Sequence, residues 1–219
     1  MKFEKTEVWG FEHAIRGMRN PLKSWNRSDS EYIDIETEEG TELLSKGIYY
    51  KIGKNDLTLM QKLIKAGSEH RKFLRQIFVS VDITAPAYFM AELDTYKIGI
   101  TRNSSSFMHK GTSRPFELSD FEIDDSNDNW NCVSWKNIIQ TLNLVREKYL
   151  ETKDNKYFRL LRQLLPNGYL YHSTITMNYE NILNMIHQRK NHRLVEWSDK
   201  FINWAKSLPY ANELLFWDK

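Results

Sequence analysis

The sequence lacks most features that mark extracellular or membrane-spanning proteins. Among 219 residues there is one cysteine, Cys132, so that no disulfide can form within the chain. No apolar run approaches the roughly 18 residues that a transmembrane helix needs, and residues 1–10 lack the apolar centre of a secretory signal. These absences predict a cytoplasmic protein with no membrane partner.

An excess of charge of one sign is also missing. Lys and Arg number 31 against 29 Asp and Glu, for a formal net charge of +2. This balance offers little electrostatic attraction to a phosphate backbone, so nucleic acid is not expected to be a partner. Apolar residues make up 41% and aromatic residues 13% of the chain, which is typical of a packed globule. With no repeat, low-complexity tract or linker, the sequence predicts one domain over residues 1–219.

The clearest strand pattern lies in the middle of the chain. Apolar residues alternate from Ile77 to Ile83, which predicts a β-strand. Thr84 is expected to cap the following helix, with Pro86 in its first turn and a stop near Gly99. The Ser- and Asn-rich segment Thr101–Arg114 is predicted to be a loop.

Other helices are predicted from apolar residues at helical spacing. One is expected to be capped by Asn55 or Asp56 and to stop at Gly67. A second is expected to begin at Ser134, after a loop that includes the cysteine, and a third at Asp154.

Two further segments favour strands, and the chain closes with helices. Residues 169–177 are rich in β-branched and aromatic side chains, and residues 32–35 would suit an edge strand within a polar excursion. Two amphipathic helices are expected before Pro209. The predicted fold class is α+β, a small mixed or antiparallel sheet packed by several helices.

Cationic side chains gather between the last two predicted helices. Apolar residues within 182–186 fall at helical spacing, which places Arg189 just past the last buried turn. Lys190, His192 and Arg193 follow at once. Their crowding costs electrostatic repulsion that an anionic ligand would relieve. The alternative is that Arg189 only complements the negative end of the helix dipole.

The same segment resembles the C-terminal signature of the flavin-dependent thymidylate synthases. In that family a Thr-x-Asn run and a Leu lead to Leu-Arg, then to His-Ala-Gln and a Glu. The matching residues here are Thr176, Asn178, Leu183, Arg189, His192 and Glu196. Arg193 and Leu194 stand where Ala-Gln is usual, and Glu180 replaces an Arg.

A second resemblance concerns the family's Arg-His-Arg motif and the Asn and Ser residues after it. Thr95, Tyr96 and Lys97 fall on Arg-His-Arg, so one of the charges of that triplet remains. With one inserted residue, Asn103 and Ser106 fall on the family's Asn and second Ser.

The resemblance implies an enzyme that forms a homotetramer with active sites between subunits. Flavin adenine dinucleotide (FAD) would carry hydride from NADPH, and methylenetetrahydrofolate would supply a one-carbon unit. The substrate would be deoxyuridine monophosphate (dUMP) or a related pyrimidine deoxynucleotide. Neither a cysteine nucleophile nor a metal ion is implied, and the sequence has no metal-like cluster of His, Asp and Glu.

Site residues follow by matching position. Arg189 would be the catalytic residue that orients the pyrimidine, because its guanidinium presents two donors to adjacent acceptors. His192, Tyr96, Lys97 and Asn103 would bind the flavin. For His192 the alternative is a solvent-exposed residue at a helix start.

The substrate nucleotide would be bound by Ser105, Ser106, Glu92 and Arg75. Arg19 is a further candidate for the same anion site. For each serine the simpler interpretation is a polar loop, and for each arginine it is a surface charge.

The expected site therefore combines the helix junction 187–193 with the loop 97–110, from different copies of the chain. A second hypothesis is a nucleotide-binding protein of the same fold without flavin chemistry, which the altered triplet at 95–97 and Glu180 favour. A third, nucleic-acid binding through 69–75 and 187–193, would require strong salt dependence.

Overall fold

The computed structural model describes residues 1–34, 48–124 and 129–217. Contacts between Cα atoms divide the chain into two compact units. The first unit comprises Met1–Lys5 and Val81–Ile175, and the second comprises Thr6–Ser80 and Thr176–Lys219. The single domain over 1–219 stays a prediction. The predicted edge strand at 32–35 lies partly outside the described residues.

Strands in the described residues form two small sheets. Their bounds are β1 Lys2–Trp9, β2 Glu31–Asp34, β3 Ile48–Lys51, β4 Phe78–Pro86, β5 Thr101–Ser104 and β6 Leu170–Asn178. The larger sheet has the order β1-β4-β6-β5, and β2 pairs with β3 in antiparallel register, Glu31 opposite Lys51.

Helices make up most of the remaining described chain. They are α1 Phe11–Arg19, α2 Lys54–Lys65, α3 Ala87–Leu93, α4 Phe107–Lys110, α5 Asn129–Thr152, α6 Asn155–Leu164, α7 Tyr179–Arg189, α8 Ile202–Lys206 and α9 Ala211–Leu214. A π-helical segment, Glu196–Phe201, leads directly into α8. The α+β prediction is confirmed. No helix in the described ranges combines the length and hydropathy that crossing a membrane would need.

The central strand β4 shows the alternation of buried and accessible residues that its sequence predicts. Val79, Val81 and Ile83 are at most 1% exposed, and the residues between them are at least partly accessible. The prediction of a strand here is confirmed, as is the strand predicted at 169–177, which is β6.

The end of β4 differs from the prediction. The strand continues through Thr84 to Pro86, so Thr84 does not cap a helix; its hydroxyl instead lies 3.1 Å from Nδ1 of His172. Pro86 is the residue before α3, and that helix ends at Leu93, well before Gly99. Pairing of β4 with β6 keeps Thr84 in an extended conformation, which overrides the preference of threonine for capping a helix.

The loop predicted for Thr101–Arg114 is wrong for residues 101–104 and 107–110. Its first part is strand β5, and Ser105 continues the pairing by donating its N–H to the carbonyl of His172 at 2.8 Å. Its second part is the short helix α4, which buries Phe107 to 6% exposure. The polar composition of the segment gave no indication that Phe107 would be buried.

Helix α2 has a cap that the local sequence does not reveal. Asn55 and Asp56 lie inside the helix, so neither is the predicted cap. Their N–H groups donate instead to the carboxylate of Asp29, at 2.8 and 3.1 Å. Gly53 permits this approach, because a Cβ there would lie 2.2 Å from Cγ of Asp29. The stop at Gly67 is confirmed, with φ of +106°.

In the first unit, helices α5 and α6 pack on an aromatic core. Asp154 accepts the N–H of Lys156 at 2.9 Å, which confirms the predicted cap of α6. Helix α5 begins at Asn129 and not at Ser134, so Cys132 lies in the helix. The fully packed residues here are Phe107, Phe116, Phe121, Leu142 and Leu161.

In the second unit, α7 begins with a reciprocal cap between asparagines. The side chain of Asn178 accepts the N–H of Asn181 at 3.0 Å, and that of Asn181 accepts the N–H of Asn178 at 3.1 Å. The chain then buries Tyr179 and Trp197 completely. The short helix α9, beyond Pro209, was not predicted.

Candidate functional site

The predicted site residues belong to both units, and each group is described by itself. The second unit holds Arg75, Arg189 and His192, and the first holds Glu92, Tyr96, Lys97, Asn103, Ser105 and Ser106.

Arg189 is the last residue of α7 and is held against a buried aromatic ring. Its Cζ lies 5.0 Å from the ring centroid of Trp197, whose side chain is fully buried. The carbonyl of Arg189 accepts the N–H of His192 at 3.0 Å, which closes the turn after the helix. Arg189 is half-buried as a residue, and its contact with Trp197 orients the guanidinium, unlike a freely solvated cation at a helix end.

The residues after Arg189 form the cationic turn that the sequence predicted. His192 is half-buried, and its Nδ1 accepts the N–H of Leu194 at 3.2 Å. A neutral imidazole in this arrangement carries its proton on Nε2, which makes that atom a donor. Lys190 and Arg193 are exposed.

Glu180, which replaces the family's arginine on α7, forms an ion pair with Arg71, a residue that the sequence analysis did not identify. Glu180 is 6% exposed, and both of its carboxylate oxygens lie 3.1 Å from Nε of Arg71. The same guanidinium donates to the side-chain carbonyl of Asn184 at 3.1 Å. A guanidinium therefore lies beside α7 even though position 180 is acidic. A separation of 109 residues hides this pair from any local pattern.

Arg19, a candidate for the anion site, is engaged inside the second unit. It is 4% exposed, and its Nε donates to Asp56 at 2.6 Å. Other guanidinium nitrogens donate to the carbonyls of Ser24 and Arg27, at 3.2 and 3.1 Å. These contacts account for Arg19 without a ligand. Arg75, by contrast, is exposed.

Asp56 is the acidic half of this buried pair. Burial by itself would raise its pKa, but hydrogen bonds from the hydroxyls of Ser30 and Ser28 and from Arg19 outweigh burial. The pKa of Asp56 is therefore lower than usual, and the carboxylate is held ionised.

In the first unit, the triplet at 95–97 follows the end of α3. The N–H groups of Thr95 and Tyr96 donate to the carbonyls of Glu92 and Leu93, at 3.1 and 3.0 Å. Tyr96 and Glu92 are half-buried, whereas Lys97 is exposed. The triplet thus presents one aromatic side chain and one solvated ammonium.

The serines that follow have partly structural roles. Ser105 pairs with His172 through its N–H and also through its hydroxyl, which accepts the N–H of His172 at 3.3 Å. Ser106 is the residue before α4, and its carbonyl accepts the N–H of Lys110 at 3.1 Å. Asn103, in β5, is exposed.

A second guanidinium that the sequence analysis missed lies beside this segment. Arg102, in β5, donates from Nε and Nη2 to the two carboxylate oxygens of Asp94, at 2.9 and 2.6 Å. Its Nη1 donates to the hydroxyl of Ser104, which lies 2.9 Å from the hydroxyl of Ser173.

A polar network occupies β4 and β6 in the same unit. Asp82 accepts the hydroxyl of Thr174 at 2.6 Å, and this bond lowers the pKa of Asp82, opposed in part by desolvation. Nε2 of His172 lies 3.9 Å from the Asp82 carboxylate. Among the described residues, no three His, Cys, Asp or Glu side chains could hold a metal ion together.

Comparisons with known proteins support the fold. Neither the protein-family models nor the curated protein sequences give a match. Among solved structures, the chain is similar to flavin-dependent thymidylate synthase ThyX from Helicobacter pylori complexed with FAD and dUMP. That match has a TM-score of 0.70 and 18% identity, and covers 100% of this chain and 99% of the other.

A second structure of the Helicobacter pylori enzyme with FAD and dUMP gives a TM-score of 0.68 and 17% identity, covering 100% and 98%. The chain therefore has the fold of the flavin-dependent thymidylate synthases over its whole length. At this identity, the comparison concerns the fold and leaves the activity to be argued from residues.

Proposed function

We propose that this protein is a divergent flavin-dependent thymidylate-synthase-like enzyme. Its reaction would be the reductive methylation of dUMP or a related pyrimidine deoxynucleotide. The observation that carries the proposal is Arg189, which matches the family's base-binding arginine and is held on Trp197 at the end of α7. The full-length similarity of fold supports the same assignment.

Arg189 would bind the pyrimidine ring. A guanidinium offers parallel donors to a carbonyl and an adjacent ring nitrogen, and it stabilises negative charge on them. Packing on a buried indole reduces the number of conformations that the side chain must give up on binding. Ser106 and Ser105, with Glu92 and Arg75, would bind the rest of the nucleotide.

FAD would be the cofactor, with NADPH and methylenetetrahydrofolate as co-substrates, and no metal would take part. The donor set is compatible with a flavin. Tyr96 offers an aromatic face, Asn103 an exposed amide, Lys97 an ammonium for a phosphate, and His192 a donor at Nε2. The flavin, when bound, would supply the hydride, and these residues would orient it.

Two measurements test the proposal. Freshly purified protein, or protein incubated with FAD and then freed of unbound FAD, should show flavin absorption bands, and dUMP should raise its melting temperature. Replacing Arg189 by Lys keeps the charge but loses the donor fork, and should weaken dUMP binding by roughly tenfold. The matched control is Arg159→Lys, an exposed arginine of α6 that belongs to neither part of the expected site. Equal affinity in the two variants, or failure to take up flavin, would contradict the proposal.

We also propose a homotetramer with sites shared between subunits. Sedimentation or light scattering of the purified protein would give a mass of about four chains. A monomer at micromolar concentration would contradict this assembly.

The alternative function is nucleotide binding without flavin chemistry. The triplet 95–97 favours it, because two of the family's three charges are replaced and Lys97 is exposed. Thermal stabilisation by dUMP but not by FAD would favour this alternative.

A further inference from the structure

Arg102 and Asp94 form a bidentate ion pair, in which the carboxylate of Asp94 occupies the guanidinium edge that a phosphate could bind. Nε and Nη2 of Arg102 hold the two carboxylate oxygens side by side, at 2.9 and 2.6 Å. This edge of a guanidinium binds a phosphate in the same bidentate way. The side chain of Asp94 is 50% exposed and that of Arg102 is 24% exposed, so a ligand could reach the pair from solvent.

The position of Asp94 is unfavourable for a carboxylate. Asp94 follows the last residue of α3, where the backbone carbonyls give the helix a partial negative charge. The guanidinium of Arg102 compensates for this repulsion. An external dianion on Arg102 would release Asp94 to solvent, and the cost of losing the pair would be small because the pair is partly hydrated.

Hydroxyl groups position the other side of the guanidinium. Nη1 of Arg102 contacts the hydroxyl of Ser104, and Ser104 contacts Ser173 at 2.9 Å. Ser173 is fully buried, which fixes the position of this small network. A phosphate that replaced the carboxylate would meet the Nε and Nη2 edge of the guanidinium, while Ser104 holds the opposite side of the group in place.

We propose that Arg102 binds a phosphate group of the nucleotide ligand, in place of the guanidinium groups that the 95–97 triplet lacks, and that Asp94 is the internal competitor displaced on binding. This inference rests on the proposed function and assigns part of its ligand recognition to β5. The phosphate could belong to the monophosphate of dUMP or to the pyrophosphate of FAD.

The test compares two variants that break the same pair from opposite sides. Calorimetric titrations with dUMP, FAD and inorganic pyrophosphate would be run at low salt on wild type, Arg102→Gln, Arg102→Lys and Asp94→Asn. Arg102→Gln should bind about tenfold more weakly, with Arg102→Lys in between. Asp94→Asn should bind up to about fivefold more tightly, because the competitor is neutralised. Arg114→Gln, which removes an exposed guanidinium paired with Asp120, is the control and should bind like wild type.

The opposite response of the two variants is what a purely structural salt bridge would not give. If Arg102→Gln and Asp94→Asn weaken binding equally, or if neither changes it, the inference is wrong even when the wild type binds dUMP and flavin. If only the dUMP titration depends on Arg102, the substrate phosphate is assigned; if only FAD does, the cofactor pyrophosphate is. Dependence of pyrophosphate binding on Arg102 without flavin uptake would support the anion site while contradicting the proposed enzyme. If the wild type binds none of the three ligands, both the anion site at Arg102 and the proposed enzyme are wrong.

Discussion

Two arginine–aspartate pairs, Arg19–Asp56 in the second unit and Arg102–Asp94 in the first, differ mainly in burial. In the second unit, Arg19 and Asp56 have side chains 5% and 0% exposed, whereas Arg102 and Asp94 in the first unit are 24% and 50% exposed. The Arg19 guanidinium also donates to two carbonyls. The Arg102 guanidinium instead borders solvent.

The difference shows how burial decides the use of one kind of contact. A buried charge cannot change partners without a large desolvation cost, so Arg19 serves the stability of its unit. A half-exposed charge can exchange its carboxylate for another anion, because water assists the exchange. Arg19 was a candidate for anion binding and Arg102 was not, because a sequence gives residue types without their burial.

The largest expected effect is the loss of Asp56. Asp56→Ala leaves the Arg19 guanidinium buried without its carboxylate, and we expect the free energy of unfolding to fall by about 3–5 kcal/mol. Urea denaturation followed by circular dichroism would measure it. The control is Glu151→Ala, which breaks an exposed pair with Lys148 and should leave the midpoint unchanged. A loss below about 1 kcal/mol for Asp56→Ala would show that the buried pair is dispensable.

Acidification should remove part of the same stabilisation. The pKa of Asp56 is lower in the folded protein than in the unfolded chain, where it is about 4. The unfolded state therefore binds the proton more readily, so this contribution is complete above about pH 4 and is lost as the pH falls through the folded pKa. Urea midpoints measured between pH 6 and 3 should fall less steeply in Asp56→Asn than in wild type. Parallel profiles would contradict this assignment.

An intermediate effect is expected at Glu180, whose pair with Arg71 is 8% and 15% exposed. Glu180→Ala should lower the free energy of unfolding by about 2 kcal/mol, because it removes charge-assisted hydrogen bonds. The single exchanges Arg71→Glu and Glu180→Arg should each lower it as well, and the double exchange should recover much of their summed loss; urea denaturation of these three exchange variants would show it. Glu69→Ala, which removes an exposed partner of Lys72, is the control. Additive losses in the double exchange would mean that the two residues do not interact.

The smallest change in stability is expected at Asp94. Asp94→Ala breaks a partly solvated pair and also relieves repulsion at the end of α3, so the free energy of unfolding should change by less than about 1 kcal/mol. The contrast between Asp56→Ala and Asp94→Ala in one denaturation series measures the difference between the two pairs directly. Equal losses would remove the distinction drawn from burial.

Much of the fold could be predicted from the sequence where the determining interactions are local. The alternation of apolar and polar residues around Val81 predicts β4. The cap of α6 by Asp154 is also predicted, because the capping residue is adjacent to its helix. Gly67, two residues after the end of α2, has the positive φ expected of a helix stop. These elements depend on residues a few positions apart, and local patterns describe them well.

The remaining features depend on contacts that are distant in sequence. Thr84 and the polar segment at 101–104 are strands because neighbouring strands pair with them. Of the site, Arg189 and its turn are predicted by charge crowding and family resemblance, whereas the packing of Arg189 on the buried ring of Trp197 is not. Arg71 and Arg102 were missed because their partners are chosen by the tertiary fold.

The carboxylate of Asp29 completes the first turn of α2 from 26 residues upstream. Closing the intervening loop costs entropy before that contact contributes anything, so α2 should acquire its native start late in folding. A peptide of residues 53–67 alone would lack this carboxylate, and its helix would be expected to start at Asn55 or Asp56, as local preference favours. In the whole protein, Asp29→Ala should therefore accelerate unfolding more than it slows refolding.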